Sequence, residues 1–152
     1  MKIICHRGNT FGPDPDNENK PEVIDYCIRK GYDVEIDLWY YNNKLYLGHD
    51  EPTYQVDADY LMLNKDRLWI HCKNLKASAE LNKLDRILFT SFNYFFNDSD
   101  NYSLTSLNYI WTYPRSQKEF TYNQVLLDFR PNVNFKKYSE LNIHGVCVDY
   151  VD

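Results

Sequence analysis

The sequence predicts an α/β fold: a small, reduced (β/α)₈ barrel of the TIM type in which several helices are shortened or replaced by loops. Eight short apolar runs typical of strands alternate with helical or loop segments, as in parallel sheets joined by crossovers. Several runs end in a polar residue, and barrel active sites lie at that end of the strands. These residues are His6, Asp37, His49, Lys73, Ser91, Asp128 and Asp149. A doubly wound sheet is the alternative.

The length explains why the barrel should be reduced. The chain has 152 residues, whereas a barrel of this type ordinarily takes ~250. Several crossovers must therefore be too short for full helices. The predicted strands span residues 2–6, 33–40, 45–48, 68–73, 86–91, 109–113, 125–129 and 145–149. The predicted helices span residues 19–30, 57–63 and 74–84.

The first predicted helix has the clearest boundaries. Residues 19–30 carry an apolar stripe at helical spacing. Asn19 suits the N-cap, Pro21 suits the first turn, and Gly31 follows the last turn. We therefore expect a helix that packs on the sheet directly after the first strand.

Size and charge set the class of protein. The length suits a single domain covering residues 1–152. A net charge of −5 argues against a general nucleic-acid binder, which would carry a basic face. No apolar run approaches the ~20 residues of a membrane span, and the N-terminal apolar stretch is too short for a signal peptide. We expect a cytoplasmic protein, with poorly covered strands protected by a second subunit in a homo-oligomer.

The segment Val34-Glu35-Ile36-Asp37-Leu38 organises the candidate site. In a strand, residues two apart point to the same face, so Glu35 and Asp37 share one face. Two carboxylates on a buried surface are costly unless a cation offsets them. A divalent metal, a lysine or an arginine would serve.

Other polar residues fall at compatible places in the chain. His6 and Arg7 precede this strand, and His49 follows the next one. Strand alternation places His71 and Lys73 on one face of a later strand. We expect these groups to meet at one end of the sheet.

The order of these elements resembles the glycerophosphodiester phosphodiesterase family, which belongs to a superfamily with phosphatidylinositol-specific phospholipases C. The match rests on five ordered elements and is strongest over residues 3–50. They are His6-Arg7-Gly8, Glu18-Asn19, Glu35-Ile36-Asp37, His49-Asp50 and the strand-end Lys73.

The resemblance implies a metal-dependent phosphodiesterase that acts on a small or lipid-derived glycerophosphodiester. His6 and His49 match the family's two catalytic histidines, which exchange protons as general base and general acid. Arg7 and Lys73 match residues that bind the substrate phosphate.

The metal site is also implied by the resemblance. Glu35 and Asp37 match the family's metal-binding carboxylates, which suit Mg²⁺ or Ca²⁺. Glu18 and Asn19 match supporting residues at the start of the first helix, with either a functional or a capping role.

The chief departure from the family pattern is His71, where the family usually has an acidic residue. As a third metal ligand, His71 would weaken binding of Mg²⁺ or Ca²⁺ and favour Mn²⁺ or Zn²⁺. Alternatively His71 is no ligand, and the two carboxylates simply pair with Arg7 and Lys73.

Two further functions compete with a phosphodiesterase. A phospholipase-type lyase of the same superfamily would need an apolar rim, for which the aromatic segment Phe92–Phe96 is the candidate. A barrel that binds a phosphodiester without catalysis would keep the arginine and lysine but gain little from an acid–base pair. The two histidines and two carboxylates therefore favour the enzyme.

Overall fold

The computed structural model describes residues 1–151, apart from the side chain of Arg115, as a ten-stranded mixed sheet with four helices. The strands are β1 (Lys2–His6), β2 (Asp33–Tyr41), β3 (Lys44–Leu47), β4 (Tyr54–Val56), β5 (Leu68–Cys72), β6 (Tyr94–Phe96), β7 (Tyr102–Leu104), β8 (Ile110–Thr112), β9 (Gln124–Asp128) and β10 (Gly145–Val148). The helices are α1 (Pro21–Arg29), α2 (Ala58–Asn64), α3 (Leu75–Leu88) and α4 (Phe135–Ser139). The predicted domain also includes Asp152, which lies outside the described residues.

The centre of the sheet is parallel. Strands pair in the order β6-β5-β2-β1-β10-β9-β8, and every pairing in this series is parallel. Two antiparallel additions flank it: β3 pairs with the carboxyl half of β2 and carries β4, while β7 pairs with β8. The carboxyl ends of seven strands therefore lie at the same edge of the parallel sheet.

The predicted (β/α)₈ barrel is wrong, because the sheet does not close and helices do not alternate with strands. β6 pairs with β5 alone, and β7 runs back antiparallel beside β8 instead of crossing over. Between β6 and β8, Ser106 donates to the carbonyl oxygens of Tyr94 (2.8 Å, from its amide) and Phe92 (2.7 Å, from its hydroxyl). The Tyr94 amide also donates to the Ser106 hydroxyl at 3.0 Å, so three bonds to one residue stand where closure would need a strand ladder.

One reason why the barrel prediction is wrong lies in residues 86–91, which were predicted to form a strand. The apolar stripe of α3 continues at helical spacing through Leu81 and Leu84 to Leu88, so the helix absorbs the start of that segment. Phe89 then adopts a left-handed conformation (φ 49°) and ends the helix. Residues 86–91 therefore form no strand, and β6 follows later at Tyr94–Phe96.

The other seven predicted strands and the three predicted helices are confirmed, with small shifts of their ends. β4, β6, β7 and α4 were not predicted. The three strands have three residues each, and α4 has five, so none is long enough for a periodic signal.

An apolar cluster lies on the face of the sheet that also carries Glu35 and Asp37. It combines alternate residues of the parallel strands: Ile4, Trp69, Phe95, Trp111, Val125, Leu127 and Cys147. A larger cluster on the opposite face packs against α1, α2 and α3. The polar side chains at the strand ends therefore lie next to buried apolar residues. Their charges interact more strongly there than in water, because the local dielectric constant is lower.

All four cysteine side chains are buried, and none of them forms a disulfide. Burial raises the pKa of the Cys72 thiol to about 12 and also raises that of Cys147. We expect a thiol reagent at neutral pH to label native protein at a small fraction of the rate in guanidinium chloride, because the thiolate is the nucleophile. Labelling followed by mass spectrometry checks this. Rapid labelling of native Cys72 would contradict the fold.

The longest helix, α3, has 14 residues. Within residues 1–151, no helix has both the length and the apolar character that a membrane span requires.

Candidate functional site

Two buried carboxylates lie at the centre of the candidate site. Glu35 and Asp37 alternate with Val34, Ile36 and Leu38 on β2, and their side chains are 3% and 0% exposed. Because β2 lies between β1 and β5, both neighbours can direct side chains at this pair. The strand geometry therefore brings the two acids together, as the sequence predicts.

Each oxygen of Asp37 has a different environment. Oδ2 accepts a hydrogen bond from Asn19 Nδ2 at 2.9 Å and lies 3.1 Å from Arg7 Nε. Oδ1 lies 3.3 Å from His71 Nδ1 and 3.5 Å from Lys73 Nζ. Although Oδ1 is buried, it has no hydrogen-bond partner among the described residues. It therefore remains available to a further ligand.

The pKa values of the two acids move in opposite directions. Burial would raise the pKa of Asp37, but His71, Arg7 and Lys73 outweigh burial and hold it below its usual value. Burial and the charge of Asp37 together raise the pKa of Glu35 above its usual value. The cations around the site thus stabilise one carboxylate more than the other.

His6, the last residue of β1, is held in place from behind. Its Nδ1 lies 2.8 Å from Asp149 Oδ1, and its ring packs 4.5 Å from the ring of Phe129. Because an ionised carboxylate can only accept, the hydrogen-bonding proton belongs to Nδ1. Nε2 of the neutral ring then carries a lone pair, 3.9 Å from Glu35 Oε2.

The chain turns sharply after His6. Arg7 adopts a left-handed conformation (φ 53°), and its amide donates to the carbonyl oxygen of Glu35 at 2.9 Å. Gly8 follows at φ 85°, where an added Cβ would lie 2.8 Å from Val23 Cγ2. This turn aims the Arg7 guanidinium at two acids, Asp37 and, at 3.1 Å, Glu18. A bulky residue at positive φ is a strained conformation of the kind that accumulates at functional sites.

A hydrogen-bonded bridge joins Arg7 to His6. Asn9 Nδ2 donates to Glu18 Oε1 at 2.9 Å and to Asp149 Oδ1 at 2.8 Å. Glu18 pairs with Arg7, and Asp149 orients His6. The role of Glu18 is therefore to hold the arginine, since it makes no N-cap bond to α1.

Asn19 does not cap α1, contrary to the sequence prediction. The N-cap position belongs to Lys20, whose side chain makes no capping bond. Asn19 is instead fully buried at φ 64° and makes two bonds with Asp37. One is the bond to Oδ2, and the other joins its Oδ1 to the Asp37 amide at 2.9 Å. Asn19 fixes the position of the buried acid.

His71 and Lys73 approach from β5 and the residue that follows it. Alternation along the strand turns both toward Asp37, as expected. The His71 ring stacks on Phe95 with 5.0 Å between centroids and 6° between planes. Its Nδ1 lies 3.8 Å from Glu35 Oε1. The stacking fixes the ring so that Nδ1 faces both carboxylates.

His49 reaches the site from the end of β3. Its Nδ1 lies 2.7 Å from Asp50 Oδ1, in the same kind of pairing that His6 makes. The side chain is 40% exposed, whereas that of His6 is 15% exposed. Of the two imidazoles, His49 is therefore the one in closer contact with solvent.

The polar groups open into one cleft of about 420 Å³. His6, His49, Arg7, Lys73, Glu35 and His71 line its polar side. Its other side is aromatic, formed by Phe96, Trp111, Tyr113 and Phe129. A second cleft of about 360 Å³ shares Arg7 and His49 with the first and includes Glu18. Arg7 and His49 thus stand where the two clefts meet.

The residues present fit a divalent cation. One ligand atom each from Glu35, Asp37 and His71 can be chosen so that all lie within 4.8 Å of one another. The unpartnered Asp37 Oδ1 is one of the atoms facing this space. Carboxylate oxygens suit hard cations, and an imidazole suits transition ions.

All nine residues predicted for the site lie in or directly behind these clefts. The sequence did not point to Asn9 or to most of the aromatic wall. Phe96 was predicted only within a candidate apolar rim, and Asp149 was noted only as a polar strand end. Asp128, another such end, is structural: it pairs with Arg130 at 2.7 Å and accepts a hydrogen bond from the Tyr138 hydroxyl at 2.9 Å. A polar strand end therefore marks the correct edge of the sheet but does not by itself mark a site residue.

Comparison of the chain with protein-family models, with curated proteins and with solved structures finds no match.

Proposed function

We propose that the protein is a metal-dependent phosphodiester hydrolase of the glycerophosphodiester phosphodiesterase type. The observation that carries this proposal is the convergence of six side chains on one cleft: three imidazoles, one carboxylate and two cations. Asp37 lies directly behind them. This is the set of groups that phosphodiester cleavage needs.

Arg7 and Lys73 bind the phosphate in this proposal. Both line the cleft and both lie against Asp37, at 3.1 and 3.5 Å, so their charges are held in place before substrate arrives. Preorganised cations stabilise the charge that develops on phosphate oxygens. A divalent cation held by Glu35 and Asp37 would supply further neutralisation of that charge.

His6 acts as the general base and His49 as the general acid. Asp149 holds the proton on His6 Nδ1, which leaves the Nε2 lone pair to accept a proton from the attacking hydroxyl or water. His49, paired with Asp50, donates a proton to the leaving oxygen when protonated. Because His49 is the more exposed of the two, it can regain its proton from solvent.

A small diester is the favoured substrate, rather than a phospholipid in a membrane. The lyase alternative needs an apolar rim at Phe92–Phe96, but Phe92 and Phe95 are buried. Phe96 alone among these phenylalanines is exposed, at 43%, and it lines the cleft. One exposed aromatic ring is a small contact for a lipid surface.

The test is hydrolysis of glycerophosphocholine and of bis(p-nitrophenyl) phosphate with Mg²⁺, Ca²⁺, Mn²⁺ or Zn²⁺. We expect turnover that EDTA abolishes and that restored metal recovers. His49→Ala should lower kcat by about 10²- to 10⁴-fold, the usual range for a general acid. Phosphorus NMR of the products separates simple hydrolysis from release of a cyclic phosphate.

His144→Gln is the matched control. His144 directly precedes β10, packs against Trp69 and Tyr109, and does not line the cleft. The rate of diester hydrolysis by the His144→Gln variant should remain close to that of the wild-type protein. Equal rates for His49→Ala and wild type, or no turnover with any of the four metals, would overturn the proposal.

A further inference from the structure

The metal cluster has a mixed donor set. His71 Nδ1 lies 3.3 Å from Asp37 Oδ1 and 3.8 Å from Glu35 Oε1. Ligand atoms around a small cation with bonds of ~2.0–2.2 Å stand about 3–3.5 Å apart. The distances from Nδ1 to the two oxygens are therefore close to those of a bound ion, and all three atoms lie within 4.8 Å of one another.

The imidazole is prepared for this role by its surroundings. The parallel stack on Phe95 fixes the ring, and strand alternation turns Nδ1 toward the acids. Asp37 Oδ1, which is buried and has no hydrogen-bond partner among residues 1–151, faces the same space. Its cationic neighbour Lys73 Nζ lies 3.5 Å away without a hydrogen bond to it, and a buried acceptor without a hydrogen bond ordinarily costs free energy, so a ligand at this point has a physical reason.

The charge balance works against hard cations. Two carboxylates contribute two negative charges, and Arg7 and Lys73 both lie against Asp37 and offset part of them. Mg²⁺ and Ca²⁺ bind mainly through charge and oxygen ligands. Zn²⁺ gains most from an imidazole nitrogen, and Mn²⁺, a transition ion that also suits carboxylate oxygens, gains more from it than Mg²⁺ or Ca²⁺ does.

We propose that Glu35, Asp37 and His71 form a transition-metal site that prefers Zn²⁺ or Mn²⁺ to Mg²⁺ and Ca²⁺. This inference rests on the proposed function only in placing the metal between the same carboxylates. In this inference His71 is a metal ligand. The metal that the proposed activity uses is then a transition ion.

Isothermal titration of the full chain, freed of metal, with each of the four cations tests the proposal without any need for turnover. We expect Zn²⁺ and Mn²⁺ to bind at least about 100-fold more tightly than Mg²⁺. Pulsed electron paramagnetic resonance of the Mn²⁺ complex should show coupling to a histidine nitrogen. His144→Gln should retain both properties.

Two variants at position 71 separate ligation from packing. His71→Gln should lose the nitrogen coupling and most of the preference for Zn²⁺, while circular dichroism confirms that the chain is folded. His71→Glu should narrow the ratio of Mn²⁺ to Mg²⁺ affinity by about tenfold or more, because a third carboxylate favours a hard ion.

The outcomes distinguish this inference from the proposed function. If Mg²⁺ binds as tightly as Mn²⁺, or if His71→Gln keeps the nitrogen coupling, the inference is overturned while metal-dependent hydrolysis stands. If none of the four cations binds, both fail. If metals bind selectively but no diester is hydrolysed, the inference stands and the proposed function fails.

Discussion

Replacing His6 with alanine is expected to lower kcat/KM for glycerophosphocholine by about 10³-fold or more. The ring is 15% exposed and lines the cleft, and its Nε2 lies 3.9 Å from Glu35 Oε2. Its partner Asp149 keeps the ring proton on Nδ1. Removing the ring removes the proton acceptor and leaves only the binding of phosphate by the cations.

Asp149→Asn tests how His6 is positioned. An asparagine can donate to Nδ1 and thereby move the ring proton to Nε2, which would block the base. We expect kcat to fall by about 10²-fold while KM changes by less than about threefold, because the phosphate contacts are intact. A purely structural role would instead lower stability and leave kcat of the folded fraction unchanged.

Steady-state kinetics with the His144→Gln control checks both variants. His144 carries the same side chain type at the opposite ends of the strands, so a general effect of losing an imidazole would appear there as well. If His6→Ala keeps more than about a tenth of the wild-type kcat/KM, His6 is not the base.

The two buried acids are expected to have opposite effects on the stability of the metal-free protein. Asp37→Asn should lower the free energy of unfolding by about 3 kcal/mol or more, because it leaves Arg7 and Lys73 without their shared partner. Glu35→Gln should raise that free energy by about 1 kcal/mol, because burial and Asp37 disfavour its charge. A buried charge such as that of Glu35 commonly lowers stability where the residue is kept for function.

Urea unfolding at pH 7 in EDTA measures both changes. The pKa of Asp37 is lower in the folded protein than in the unfolded chain, so its contribution is complete above about pH 4 and is lost at more acidic pH. Glu80→Ala serves as the control, because Glu80 pairs with the exposed Lys83 on α3 and with no other cation among the described side chains. It should change the stability by no more than about 0.5 kcal/mol. A stabilising Asp37→Asn would contradict the charge distribution described above.

Local sequence pattern predicted most of the elements but not how they assemble. The parallel strands that hold the site have strong apolar runs separated by helices or loops, and the structure confirms these strands. Closure of the sheet depended on residues 86–91, where an apolar helical stripe and an apolar strand look alike over six residues. The capping role assigned to Asn19 failed for a similar reason, since its partner Asp37 lies 18 positions away along the chain.

The candidate site was more predictable than the fold. Alternation on β2 and β5 fixes which side chains share a face, and this rule places Glu35, Asp37, His71 and Lys73 together whether or not the sheet closes. The partner of His6 was not predictable, because Asp149 is 143 positions away and comes close only through the pairing of β1 with β10. The aromatic wall likewise depends on how the late strands assemble.

The most direct test of the account is a crystal structure of the protein with Mn²⁺ and phosphate, phased to locate the metal by its anomalous scattering. The account predicts one strong peak within bonding distance of Glu35 and Asp37, with phosphate in contact with Arg7 and Lys73 and both His6 and His49 facing it. A metal bound elsewhere, at the exposed Asp50 for example, or a phosphate that avoids both cations, would contradict it.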